Sequence, residues 1–203
     1  MASEEVIVPL TVPRDAVPLA THVRGTMIAS SITLVRSLAL EDKYFAALPQ
    51  PRHEAIRSLV ASEWLPMDVA VDHYGAMDSL QLPASQVIEM GRQTSQRIQG
   101  AHIKTLATTL RAAGAVDPAA ILSRTQTLMD RSFKGATVAA WKTGPKDARV
   151  ELLGIPALRF AYLRLGWMGA FEAGLELVSR KVYVSEIEKL RTRTSAAFSV
   201  SWV

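Results

Sequence analysis

Ala136-Thr-Val-Ala-Ala-Trp-Lys142, Thr143-Gly-Pro-Lys146 and Asp147-Ala-Arg-Val-Glu-Leu-Leu153 follow one another and decide the fold. Two apolar, strand-forming runs around a Gly-Pro turn are the signature of a β-hairpin. The next segment, Arg159 to Leu177, is helical in character. Leu158, Tyr162, Leu165 and Met168 line one side of it, and Phe160, Leu163, Trp167 and Phe171 another. A helix apolar on most of its circumference is a buried one. Arg180-Lys-Val-Tyr-Val-Ser-Glu186 and Ala196-Ala-Phe-Ser-Val-Ser-Trp202 then form a second strand pair. Residues 134–203 therefore read β–β–α–β–β.

Upstream the pattern is helical. Pro9, Pro13 and Pro18 keep residues 1–20 out of a helix, leaving an extended arm or an edge strand around Val6-Ile-Val8. Helical spacing is met over about Thr26 to Leu38, Glu41 to Leu48, the segment after Pro51, and Pro66 to Leu80. A long helix is predicted from Ala84 to Ala112, with Val87, Gly91, Thr94, Ile98, His102, Leu106 and Leu110 on one stripe. Asp117-Pro118 is an N-cap followed by proline at the first helical position, opening a helix that runs towards Phe133. The expected class is α+β. An arm over 1–20 precedes one domain over 21–203, with a helical layer at 21–133 and an antiparallel sheet with its helix at 134–203.

Composition narrows the function classes. The 203 residues are 49% hydrophobic and 21% charged, which suits a packed core. Zero cysteines exclude disulfides, thiolate zinc sites and cysteine nucleophiles together. The Met-Ala-Ser-Glu-Glu start has no signal-peptide character, and Arg159, Arg164 and Glu172 interrupt the most apolar stretch. A cytoplasmic protein without a membrane span is the expectation. Residues 134–203 carry 11 basic and 6 acidic side chains, a surplus that suits an acidic partner or a solvated sheet face. Lys189, Arg191 and Arg193 lack interleaved aromatics, so nucleic acid is not expected.

Catalytic motifs are missing. There is no phosphate-cradling glycine loop, no Gly-x-Ser-x-Gly elbow and no His-Glu-x-x-His, and His22, His53, His73 and His102 are scattered. The expectation is a non-enzyme without a metal site. His102 projects from the apolar stripe between Ile98 and Leu106. It could ligate a haem iron, bind a polar ligand head or sense pH, or be a core histidine satisfied by a carbonyl. His73 has the same two readings. Trp64, in Glu63-Trp-Leu-Pro66, is a pocket wall or a bulky anchor at a helix junction. Tyr162 and Trp167 could line a cavity with one polar handle each, or pack in the core. Gly166, Gly169 and Gly174 each cost about 1 kcal/mol relative to Ala inside a helix. A close approach to a sheet, a partner helix or a ligand would offset that, and the sheet is the favoured choice.

His22-Val-Arg-Gly25, Glu63-Trp-Leu-Pro66, the Arg131-Ser-Phe133 helix end and the closing glycine-bearing helix with its hairpin resemble an uncharacterised myxobacterial paralogous family of about this length. That organisation in turn resembles the haem–nitric-oxide-binding (H-NOX) fold and the vinyl-reductase-type ligand-binding domains. The H-NOX family carries its proximal histidine on the helix before the sheet and a Tyr-x-Ser-x-Arg motif for the haem propionates. Here Asp117 to Phe133 contains no histidine, and Tyr183-Val-Ser185 is followed by Glu186-Ile187 rather than supplying the arginine. The resemblance thus implies the fold without haem in the familiar mode, so no cofactor is expected. It suggests a sensory or signalling domain for an apolar small molecule or a protein partner, and Trp64, His73, His102, Tyr162, Gly166 and Trp167 are the residues expected to line a ligand space. The alternatives are an interaction or scaffolding module, binding an acidic protein or a second copy, and a haem-based gas sensor.

Overall fold

Strand β5 (Thr137–Gly144) turns into β6 (Asp147–Leu153) through Pro145 and Lys146, with Val138 opposite Leu152 and Ala140 opposite Val150. In the computed structural model, residues 5–112 and 117–203 are described, the side chains of 97–104, 106, 107, 110 and 111 excepted. The second pair is β7 (Val182–Glu186) and β8 (Ala196–Trp202), and β8 joins the first by pairing with β6. Strand β1 (Glu5–Val8) adds to β5, so the antiparallel sheet runs β1-β5-β6-β8-β7. The start of the arm is thus an edge strand. Residues 9–20 then turn back over the sheet, where Arg14 pairs with the buried Glu151 and the Ala20 N–H donates to Gly154 O at 2.6 Å.

Strand alternation puts Ala148, Val150 and Leu152 on one face with Ala196, Phe198 and Val200, all buried. Helix α8 lies against that face. It spans Ala161–Leu175, after a 3-10 turn at Pro156–Arg159, and its Phe171 ring meets Phe198 at 5.5 Å. The β–β–α–β–β reading therefore holds almost to the residue. Arg164 is a cation buried in α8, and its charge is well engaged. Its guanidinium donates to Leu158 O and Arg159 O at 2.8 Å and to the Glu186 carboxylate at 3.1 Å, tying the helix to β7.

The helical layer comprises α1 (Gly25–Ser37), α2 (Glu41–Ala47), α3 (His53–Arg57), α4 (Met67–Ser79), α5 (Ala84–Ala112), α6 (Pro118–Leu122) and α7 (Thr125–Met129). The single helix expected from Asp117 is two. Asp117 does cap α6, accepting from Ala119 N–H at 2.9 Å, but the chain breaks at Ser123-Arg124. There the Thr125 hydroxyl donates to Leu122 O, and Gln126 turns to β5, bonding Ala136 O and Val138 N–H. Side-chain bonds to a neighbouring strand replace helix continuity.

A second, three-stranded sheet was not expected. Its strands are β2 (His22–Arg24), β3 (Trp64–Pro66) and β4 (Phe133–Lys134), in the order β3-β2-β4. Val23 stands opposite both Leu65 and Phe133. The three short segments that carried the family resemblance are thus one structural device.

The glycines of α8 are not offset by the sheet. Gly91 of α5 sits on the backbone of Gly166, and Gly169 sits on the Ile88 carbonyl, so helix seats on helix. A methyl group at Gly91 or Gly169 would collide with backbone, which cannot yield as a side chain does. Arg92 secures the contact by donating to Glu172 at 3.0 Å and to Glu176. At Gly166 itself an added methyl meets only the Met90 methyl at 3.9 Å.

The two glycines should therefore answer oppositely to alanine. Gly169→Ala is expected to lower the unfolding free energy by about 1–3 kcal/mol through overpacking. Gly166→Ala should raise it by up to about 1 kcal/mol through helix propensity. Urea unfolding of both variants checks the pair. Asp78 supplies the other prediction: its carboxylate accepts from Tyr162 N–H at 2.8 Å, where the Phe160 cap position offers no side-chain acceptor. Asp78→Ala should lose about 1 kcal/mol by the same measurement.

Candidate functional site

Within α8, Gly166, Ala170 and Gly174 recur every fourth residue and so share one face of the helix. That face does not meet the sheet. It borders a cavity of about 80 Å3 between α8 and helices α1, α4, α5, α6 and α7, partly open to the surface. A single water needs at least about 10–15 Å3 by this measure, so the space exceeds a few waters. The small-residue row explains the void, because Leu or Met at these positions would fill it. Gly169, one residue off the row, serves the helix seat instead. Gly166 does both, since its backbone receives Gly91 while the direction of its missing side chain is open.

The walls are mostly apolar, with Met90, Leu122, Leu163, Phe171 and Leu175 prominent. Polar atoms are few. Tyr162 O–H donates to Met90 Sδ at 3.2 Å. Burial raises the Tyr162 pKa above its ordinary value, with the Ser31 hydroxyl opposing through a hydrogen bond, so the phenol stays neutral. The Trp167 indole N–H is buried and has no hydrogen-bond partner among the described residues. Thr94 and Ser95 of α5 complete the hydroxyl side.

Of the residues singled out from sequence, Tyr162, Gly166 and Trp167 come together on this cavity. His73 does not line it. It is fully buried behind Tyr74, with Nδ1 2.7 Å from Tyr44 Oη and its ring edge-on to Tyr74 at 4.9 Å. Burial pushes its pKa down to about 3, which makes it a neutral core histidine. Trp64 lies elsewhere, half-buried on β3 between Arg24 and Lys134, each 4.9 Å from its ring centre. The side chain of His102 lies outside the described residues. Sequence reading missed Ser31, Tyr74, Met90 and the hydroxyls of α5. The four-residue spacing of Gly166, Ala170 and Gly174 was the signal available for the groove.

No protein-family model matches the chain, and no curated protein does either. The myxobacterial resemblance thus rests on its short motifs. Solved structures do match. The unliganded Fe(II) H-NOX protein from K. algicida superposes with a TM-score of 0.58 at 10% identity, over 89% of this chain and 96% of that one. A point mutant of the T. tengcongensis H-NOX gives 0.53 at 13% identity, over 88% and 97%. The fold is H-NOX-like. At such identities the likeness concerns architecture alone.

Haem has to be tested on the residues. Among the described lining there is no histidine, lysine or arginine, and the chain has no cysteine. An axial imidazole or thiolate and cations for two propionates are therefore missing from it. Tyr162 is already bonded to Met90, and burial opposes its phenolate. No group of three or more metal-ligating side chains occurs among the described residues. This lining does not fit a histidine-ligated haem. Nor is any helix, among the described residues, long and apolar enough to cross a membrane.

His73 gives a pH prediction. Its folded pKa, about 3, lies below the 6.5 of an unperturbed histidine. Below pH 6.5 only the unfolded chain takes up this proton, so stability falls as pH falls, down to about pH 3. The contribution is a loss of about 1.4 kcal/mol by pH 5.5 and about 2.7 kcal/mol by pH 4.5. His73→Leu should lack that slope. Its stability gap from the parent, measured by urea unfolding at pH 7.5, 5.5 and 4.5, should shift in the variant's favour by those amounts.

Proposed function

We propose that this protein is a non-enzymatic sensory domain that takes a small apolar molecule into the cavity beside Gly166, Ala170 and Gly174. The observation carrying this reading is the pair of glycines on the cavity row. Each costs about 1 kcal/mol against Ala, and a methyl group added at Gly166 would meet only the Met90 methyl, at 3.9 Å. A void kept open at a cost to stability is a feature expected of function.

The mechanism is mechanical. Helix α8 lies on the sheet and α5 is fixed to it by the glycine seat and Arg92, while α1, α4, α6 and α7 contribute the other helical walls. A ligand in the cavity presses those walls outward relative to α8. It shifts the population only as far as it binds the spread arrangement more tightly. The H-NOX-like fold is consistent with a sensor, and it also keeps a haem gas sensor in view as the second reading.

Thermal unfolding with benzene, indole and 1-hexanol tests the proposal. At least one should raise the Tm saturably, and Gly166→Leu, whose side chain enters the cavity, should abolish the rise. No rise with any of them would sink the reading. An absorption spectrum separates the rival: a strong visible haem band in the purified protein would favour the gas sensor.

A further inference from the structure

The larger sheet has two edges, and the chain treats them differently. At one edge β1 is four residues long, its register slips between Val6 and Val8, and Pro9 follows at once. A bulge and a proline are devices that keep an edge from pairing further. At the other edge β7 has neither. Val182 to Glu186 keep an unbroken register with β8, and Val-Tyr-Val-Ser-Glu is rich in strand-forming residues.

The backbone of β7 is only half used. Lys181 O accepts from Val203 N–H, and Ile187 N–H donates to Ala197 O at 2.7 Å, so the odd-numbered residues turn their polar groups to β8. The N–H and C=O of Val182, Val184 and Glu186 point the other way, off the end of the sheet, and no described strand meets them. Tyr183 stands among them, 52% exposed, with the Lys181 ammonium 4.9 Å from its ring centre.

Charge says what such an edge accepts. Arg180 and Lys181 lie at its start, and Lys189, Arg191 and Arg193 beyond its end. Of these five cations only Arg191 has a carboxylate partner among the described residues, and that partner, Glu186, is shared with Arg164. Glu188 is the other acid of the segment, so residues 180–193 hold five basic against two acidic side chains. A second copy of this chain would bring the same surplus and be repelled, whereas an acidic strand would be drawn in.

We infer that the β7 edge docks an extended acidic segment of a partner protein, which adds to the five-stranded sheet as a further strand. Its backbone bonds to Val182, Val184 and Glu186, and its carboxylates reach the cations at the two ends. This surface is separate from the cavity and does not depend on it.

A fluorescent peptide with a Val-Thr-Val-Thr-Val core and an Asp-Glu pair at each end tests this by anisotropy, with the whole protein at low salt. It should bind saturably, and Arg180→Glu combined with Lys189→Glu should weaken it about tenfold or more. Both side chains are exposed and have no ion-pair partner among the described residues, so their reversal leaves the fold intact. Amide hydrogen exchange followed by NMR reads the edge directly. On binding, Val182, Val184 and Glu186 should slow about tenfold or more, while Tyr183 and Ser185 are protected beforehand. A peptide with proline at alternate core positions keeps the charge but cannot pair as a strand, and should not bind. Equal binding of the proline peptide, or of an oligothymidylate, would reduce the edge to a general attraction for polyanions and overturn the inference. Undiminished binding to the reversed variant, or no saturable binding at all, would overturn it too. Protection of the same amides by self-association without peptide would give the edge to a second copy instead.

Discussion

Backbone resting directly on backbone is the constraint from which the rest of this structure follows. Gly91 against Gly166 and Gly169 against the Ile88 carbonyl bring α5 and α8 closer than side chains would permit. That closeness fixes the long helix to the one that lies on the sheet, with Arg92 and its two carboxylates as the outer clasp. The apolar faces of α1, α4, α6 and α7 then gather round a helix pair whose spacing is already set. The cavity has its origin in the same economy of side chains. Where the small residues of α8 face a partner they make contact, and where they face none they leave room.

The sheet half was legible in the sequence and the small sheet was not. Two runs such as Ala136–Lys142 and Asp147–Leu153, with a Gly-Pro turn between them, admit few other structures. The long helix from Ala84 and the Asp117-Pro118 cap were equally plain, because capping and periodicity are local properties. Strands of two or three residues carry no such period. Trp64-Leu65-Pro66 therefore looked like a junction before it proved to be a strand. The break between α6 and α7 was hidden for a related reason: Gln126 finds its partners on β5, which lies on the other side of the turn.

The candidate site was legible only in part. Tyr162, Gly166 and Trp167 belong to one helix whose character the sequence announces, and they meet at one cavity. His73 sat on an apolar stripe as a ligand would, but the same stripe describes a histidine bonded to Tyr44 in the core. Trp64 could not be placed without knowing that Arg24 and Lys134 flank it. Periodicity says which way a side chain points, and only the packing of distant elements says what it meets. The same limit applies to haem: the H-NOX-like architecture is present, while the described lining supplies no histidine, lysine or arginine.

The three-stranded sheet also bears on how the molecule acquires its shape. Val23 and Phe133 pair across about 110 residues, and Leu65 joins them from midway. Closing so long a loop carries an entropic penalty before any contact repays it, and topologies rich in distant pairings fold slowly. On a ribosome, the first helices would emerge with strand β2 unmatched on one side until residue 134 had cleared the exit. The amino-terminal half is therefore an apprentice structure during synthesis, completed only when the late-made strand arrives.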